Sequence, residues 1–212
     1  MGTVYKSRNE IPTIDCELIT IETVVTPASG NDPAVTREFG FTTANKLGVE
    51  PQIETTDAVK LMIKGKLKAQ KKEESTITGH QLTLTDNVFN PELVKILQGD
   101  TVKYWTSDAH TTSSDTPSAY GVAQYTPPIV GSNDKGEIFK LNAYSAQYNA
   151  AGQIVNYEKI TYPNCTGVPV AFGAEDGVFR APEYTINSAP DNGEAPYDIT
   201  YVDTLPTLTD PT

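Results

Sequence analysis

The residues able to do chemistry in this chain are few and scattered. His80 and His110 are the only two imidazoles. A nucleophilic triad or a histidine metal site needs at least one of them beside a serine, a carboxylate or a second ligand. His80 falls inside an alternating strand pattern and His110 in a Ser/Thr/Asp-rich loop, so both read as ordinary polar positions. Three carboxylate pairs, Asp15/Glu17, Glu73/Glu74 and Glu175/Asp176, have spacings that any acidic chain produces. Glycoside hydrolysis requires two carboxylates facing one cleft, and no spacing here marks such a pair. Asp191-Asn192-Gly193 and Ser132-Asn133-Asp134-Lys135-Gly136 offer oxygens to calcium but lack the EF-hand spacing. Both are explained as turns. Gly40 and Gly48 complete neither a dinucleotide fingerprint nor a phosphate loop. Tyr104, Trp105, Tyr120 and Tyr125 flank the loop at 106–119. Stacking on a sugar is one use for them; anchoring the loop to a core is the expected one. Cys16 and Cys165 are far apart in sequence and read as two reduced, partly buried thiols. The expectation is a protein that is not an enzyme, with no catalytic residue, cofactor or metal.

Lysine is the one functional group that is concentrated. Lys60, Lys64, Lys66, Lys68 and Lys72 share one strand parity in a chain of net charge −11 and sequence pI about 4.6. Lys64, Lys66, Lys68, Lys71 and Lys72, with Glu73 and Glu74, make the candidate subunit-interface set. Two readings stand side by side. One is a solvated strand face that resists aggregation; the other is a surface that docks on the acidic face of a neighbouring copy. The acidic balance argues against a grip on nucleic acid, because phosphate is repelled.

The elements that must position these residues are mostly strands. Hydrophobic residues make up 38% of the chain, enough for one sandwich-sized core, and Thr, Tyr, Gly and Pro outweigh good helix formers. Ile14–Thr26 and Val35–Thr43 read as strands separated by PASGNDPA. Lys60–Gln70 alternates with period two, with Leu61, Ile63, Leu67 and Ala69 on a face expected to be buried. Lys71-Lys72-Glu73-Glu74 is expected to turn the chain into a return strand, Ser75–Thr85. Ile77 has one parity and Leu82 and Leu84 the other, which places a β-bulge at Gly79. Asn90-Pro91-Glu92 opens a short helix as cap, first residue and dipole partner, and Gly99 ends it. Residues 106–119 read as a poorly ordered loop. Hairpins are expected over 137–148 with 153–162, and over 183–188 with 197–203.

At 212 residues, one domain is the default. The expected division is a flexible N-terminal arm over 1–13, a single β domain over 14–205 with a loop insertion at 106–119, and a C-terminal tail over 206–212. The first residues carry no apolar signal core. Position 6 is Lys6 where myristoylation wants Ser or Thr. No apolar run approaches the ~20 residues of a membrane helix. The fold expected is mainly β, a β-sandwich or partial barrel with one short flanking helix.

Several phrases carry a resemblance. FGFTTANKLGVEPQIETTDAVKL, TGHQLTLTDNVFNPELVKILQG, YTPPIVGSNDKGEIFKLNAYSA, YEKITYPNCTGVPVAFGAEDGVFRAPEYTINSAP and APYDITYVDTLP occur in that order. Together, over roughly residues 35–205, they resemble the major tail (tail tube) proteins of tailed bacteriophages and prophages, mainly of Gram-positive hosts. The loop at 106–119 looks like an insertion relative to that pattern. The resemblance implies a tail-tube β-sandwich with a flanking helix, related to the hemolysin-coregulated protein of type VI secretion. It implies hexameric rings that stack into a tube and serve as the conduit for genome ejection, in a long flexible tail. It further implies a place in the virion tail, assembly in the bacterial host cytoplasm, and the tape measure, distal tail and tail terminator proteins as partners. Phage DNA would pass through without specific binding, helped by a negative lumen, and no membrane would be engaged.

Two alternatives belong beside this reading. The aromatic and Thr content suits a secreted or surface β-sandwich that binds carbohydrate or acts as an adhesin, although no signal peptide is visible. The same tube could also belong to a phage-tail-like bacteriocin.

Overall fold

The computed structural model describes residues 11–25, 35–64, 66–133, 135–171, 173, 175–178 and 180–209. Most of the expected arm over 1–13, the turn at 27–34, Gly65, Asp134 and the last residues of the tail lie outside the described residues. In chain order the elements are β1 (Thr13–Val25), β2 (Val35–Phe41), β3 (Ala44–Thr56), β4 (Val59–Ile63), β5 (Lys66–Lys71), β6 (Glu74–Asp86), α1 (Pro91–Gln98), β7 (Thr101–Trp105), β8 (Ser113–Ser114), β9 (Val122–Thr126), β10 (Phe139–Tyr148), β11 (Ile154–Gly167), β12 (Glu183–Ser188) and β13 (Asp198–Val202). The protein is mainly β with one short helix, and every strand pair is antiparallel.

Eight strands form the main sheet in the order β2-β1-β10-β11-β12-β6-β3, with β13 also on β11. The two outermost strands of that order, β2 and β3, are joined by Thr42 and Thr43 alone. From Phe41 to Ala44 is three residue steps, at most ~11 Å, so the ends of the sheet meet at that corner and the sheet rolls into a partial barrel.

Alternation decides what the roll encloses. Ile19 and Ile21 of β1, Leu82 and Leu84 of β6, Leu141 of β10, and Tyr184 and Ile186 of β12 are fully buried on the inner face. Helix α1 supplies Leu93, Val94, Ile96 and Leu97 to the same core. Burying each such side chain is worth about 1.5–3 kcal/mol. The helix forms where its caps were legible. Asn90 Oδ1 accepts from the backbone N–H groups of Glu92 (3.0 Å) and Leu93 (3.2 Å), Pro91 opens the first turn, and the Gly99 N–H returns to the Lys95 carbonyl at 2.8 Å. Gly167 lets the helix lie close on β11, since a Cβ there would stand 2.4 Å from Leu97 Cα.

The outer face has a polar clamp. Asn142 Nδ2 donates to Thr20 Oγ1 (3.1 Å) and Glu22 Oε1 (2.8 Å), while Thr161 Oγ1 donates to Asn142 Oδ1 (2.8 Å). These residues sit on β1, β10 and β11, so the clamp pins three strands in register. Leu208 packs on the same face against Gly40, the partner of Thr20.

Four sequence expectations are corrected. Lys60–Gln70 is not one strand. The chain reverses between Ile63 and Lys66, which pair, and Lys64 has φ +49°, the left-handed conformation that tight hairpin loops demand. Alternation hid the turn because it runs on through both arms. Residues 71–74 are therefore not the hairpin turn, and Ser75–Thr85 pairs instead with β3, a strand not foreseen, along its whole length. Finally, 183–188 and 197–203 do not pair with each other. β11, at 14 residues, is long enough to take β13 on one stretch and β12 on the next. The hairpin of β10 and β11 and the helix stand as expected.

Candidate functional site

The structural feature that stands apart from the core is a two-stranded ribbon. β3 and β6 pair from Ala44↔Asp86 to Thr56↔Glu74, and β4 and β5 continue from Val59↔Lys71 to Ile63↔Lys66. The register runs across the interruption at 57–58 and 72–73 without a shift. Among the described residues from Pro51 to Thr78, every side chain is exposed except half-buried Ala58. From Ile53 to Ile63 the ribbon extends about 35 Å beyond the body at ~3.3 Å per residue.

Its root is built for the departure. The register shift between Gln52 and Ile53 leaves Thr78 as the extra residue, so Ile77 swings onto the face of Leu82 and Leu84. The bulge thus falls beside Gly79, where the parity switch placed it. Gly79 itself makes room for a neighbouring strand, because a Cβ there would lie 2.2 Å from the Ser188 carbonyl oxygen. Next to it His80 is buried, its ring edge-on to Tyr162 (5.7 Å) and Tyr197 (5.4 Å), with Nδ1 unpartnered. Burial pushes its imidazole pKa down. It is an aromatic packing residue at the ribbon root.

The ribbon is amphipathic. Ile53, Ile77, Val59, Leu61 and Ile63 lie along the face that continues the core face of β6. Leu61, Ile63, Leu67 and Ala69 were expected to share a buried face; instead all four are exposed, Leu61 at 54%, Ile63 at 47% and Leu67 at 52%, and a register shift between Leu61 and Met62 puts Leu67 opposite Met62 on the other face. Period two reveals that one face is apolar, not that the same chain covers it. The described residues contain nothing that does.

The lysines are redistributed by the turn. Lys60 lies on β4, Lys64 in the loop, Lys66, Lys68 and Lys71 on β5, and Lys72 in the link to β6. They do not share one strand parity. Lys66 opposes Ile63 and Lys71 opposes Val59, so these two flank the apolar face, whereas Lys60 opposes Gln70 on the other side. Lys71 Nζ reaches Glu74 Oε2 at 3.6 Å in the open, a contact worth little by itself. Glu73 lies in the same exposed link. Six lysines and no acid occupy 59–72, in a chain of net charge −11; the remainder is therefore at −17.

The other candidates stay dispersed. His110 stacks on Trp105 (5.1 Å) within the loop, which is tied by the Thr106 N–H to the Thr112 carbonyl (3.0 Å) and by β8 pairing with β7. Tyr104 and Tyr125 are anchors: Tyr104 Oη donates to Glu92 Oε1 (2.7 Å) and Tyr125 Oη to the Gly99 carbonyl (3.2 Å). Tyr120 is exposed. Cys165 is buried and Cys16 half-buried, both free. Asp15 has no described side chain, and Glu175/Asp176 and Asp191-Asn192-Gly193 lie in exposed turns. Among the described residues no three His, Cys, Asp or Glu side chains come together as a metal site. A shallow depression beside β10 is lined by Glu22, Thr36, Ile138, Phe139, Lys140 and Asn164. Its charged pair, Lys140 and Glu22, closes on itself at 3.7 Å.

No family model matches this sequence, and no curated protein matches it. Among solved structures, a chain described as "Cryo-EM structure of the anti-feeding prophage (AFP) baseplate, 6-fold symmetrised" aligns over 92% of this chain and 97% of its own, at 10% identity and a TM-score of 0.33. A likeness at that level establishes neither a shared architecture nor a shared role.

Proposed function

We propose that this chain is a structural subunit that polymerises with copies of itself, the tail tube protein of a tailed bacteriophage or of a phage-tail-like particle. The observation that carries self-assembly is the ribbon: a 35 Å-scale projection with an uncovered apolar face and six lysines, on an otherwise acidic chain. A two-stranded ribbon is marginal alone in water, so an exposed apolar one implies a partner. Opposite charge on the rest of the chain makes a second copy a fitting one. The free outer edges of β2 and β3 supply further pairing sites of the kind that closed assemblies remove. The tail-tube assignment itself rests on the ordered sequence phrases given above.

In this reading hexameric rings stack into a tube, the lumen carries few inward lysines, and DNA passes without adhering. The tape measure, distal tail and tail terminator proteins are its further partners, and the chain catalyses nothing. The test is to shorten the ribbon where its register allows. Replacing residues 57–73 by Asn-Gly leaves Thr56 facing Glu74 and removes all six tip lysines. The shortened protein is expected to fold with unchanged thermal midpoint and to form no tubes by negative-stain microscopy. Normal tubes from it would sink the proposal.

A further inference from the structure

A second uncovered apolar area lies at the other end of the ribbon, and its chemistry matches the tip. β13 runs beside β11 with Ile199 opposite Ile160 and Tyr201 opposite Glu158. Tyr197 leads into it and contacts His80 and Tyr162 across the sheet at 5.4 and 6.3 Å. This is the core side of the sheet, beyond the part that α1 covers. Tyr197, Ile199 and Tyr201 are 42–47% exposed, and Val49 and Ile53 of the ribbon root, on the same side, are 40% and 56% exposed. On the inward-facing positions of β3, β6, β11, β12 and β13 there are two acids, Asp86, which is fully buried, and Glu158, which Tyr201 Oη reaches, and no lysine or arginine.

Resting on the self-assembly reading, we propose that this aromatic root face is the receptor for the ribbon tip of a second copy. Val59, Leu61 and Ile63 seat against Tyr197, Ile199 and Tyr201, and Lys66 and Lys71, which flank that apolar row, meet Glu158. The occupant is another copy because the geometry forbids the same one. The tip stands about 35 Å from its own root on an extended ribbon and cannot fold back. A tip-to-root contact joins two different patches, so it is heterologous: each added copy leaves one free tip and one free root, and growth stays open-ended. One such contact is small. A ring of subunits makes several at once, and their linkage supplies the strength.

Two variants test it. Leu61→Asp/Ile63→Asp spoils the tip and leaves the root; Ile199→Asp/Tyr201→Asp spoils the root and leaves the tip. All four side chains are exposed, so both proteins are expected to keep the wild-type circular dichroism and thermal midpoint. Each alone is expected to need at least ~tenfold more protein to elongate, the loss of ~1.4 kcal/mol per junction. Mixed, they have one good tip and one good root between them and are expected to stop at a species of twice the mass of either, by sedimentation velocity. A charge exchange covers the case in which a root variant unfolds. Glu158→Lys and Lys66→Glu/Lys71→Glu are each expected to weaken elongation, and the two together in one chain to restore it. If the folded root variants elongate like wild type while the tip variant does not, the receptor lies elsewhere and self-assembly through the ribbon stands. If the tip variant also elongates normally, or wild type remains monomeric at its solubility limit, both readings fall.

Discussion

Individual side chains set the pH range over which this protein holds together. Burial pushes the Cys165 thiol from 9.0 up to about 12. Burial, with the Tyr197 phenol next, pushes Tyr162 from 10.0 up to about 12. Both groups stay protonated in the folded chain at pH values where the unfolded chain ionises. Their contribution to stability is therefore complete below pH 9 and is lost as pH rises from there toward about 12. Chemical denaturation at a series of alkaline pH values should show stability falling across that window, and Cys165→Ala should flatten the fall at its lower end. The folded protein at pH 8 should leave Cys165 unalkylated. Asn142 makes a second residue-scale prediction. Asn142→Ala strips partners from Thr20, Thr161 and Glu22 at once, and a loss of about 1–3 kcal/mol is expected from urea unfolding. A change within error would mean that water replaces the amide without cost.

At the scale of elements, the root of the ribbon depends on one missing side chain. Gly79→Ala places a methyl 2.2 Å from the Ser188 carbonyl oxygen, an atom of a paired strand that cannot step aside. The expected cost is about 1–3 kcal/mol, read as a lower thermal midpoint. Gly173→Ala, where a Cβ meets nothing within 4 Å, is the neutral control. Gly79 also shows how far the sequence could be read. The parity switch between Ile77 and Leu82 gave the bulge, because alternation is a local property of the strand. The carbonyl pressed against Gly79 belongs to β12, more than a hundred residues on, and nothing local announces it. The helix was legible for the same local reason: Asn90, Pro91 and Gly99 each act within one turn. β3 was not, because Gly48 and Pro51 break its pattern. Pro51 is tolerated since β3 is an outer strand with one unpaired side. The reversal between Ile63 and Lys66 was missed because it falls inside a run of lysines that alternates on both sides of it. The pairing of β12 and β13 was decided by the length of β11, a distant element.

For the whole molecule, the separation of charge is the property to which the proposed self-assembly should respond. Lys64→Glu/Lys66→Glu/Lys68→Glu/Lys72→Glu brings like charge to the acidic body of the next copy. Elongation is then expected to fail at low salt and to recover partly at high salt, where the Debye length falls from ~8 Å at physiological strength to ~3 Å at 1 M. Unchanged assembly at low salt would make the lysines merely a solvated face. Here the sequence showed the lysines but not the apolar row beside them as a surface, since whether an apolar face is covered is a property of the complete roll and its neighbours. That roll also imposes an order in time. Thr13 and Gln147, joined by a hydrogen bond across β1 and β10, are 134 residues apart, and such distant pairing forms slowly. The ribbon closes on itself from contacts within 43 residues, Ala44 to Asp86, and leaves the ribosome long before β10 exists. For that interval the nascent chain displays an apolar hairpin with no body behind it, the kind of segment that aggregates. The lysines interleaved with Val59, Leu61 and Ile63 then serve as gatekeepers, and in the proposed self-assembly they keep young chains apart until the acidic body that would receive them has folded.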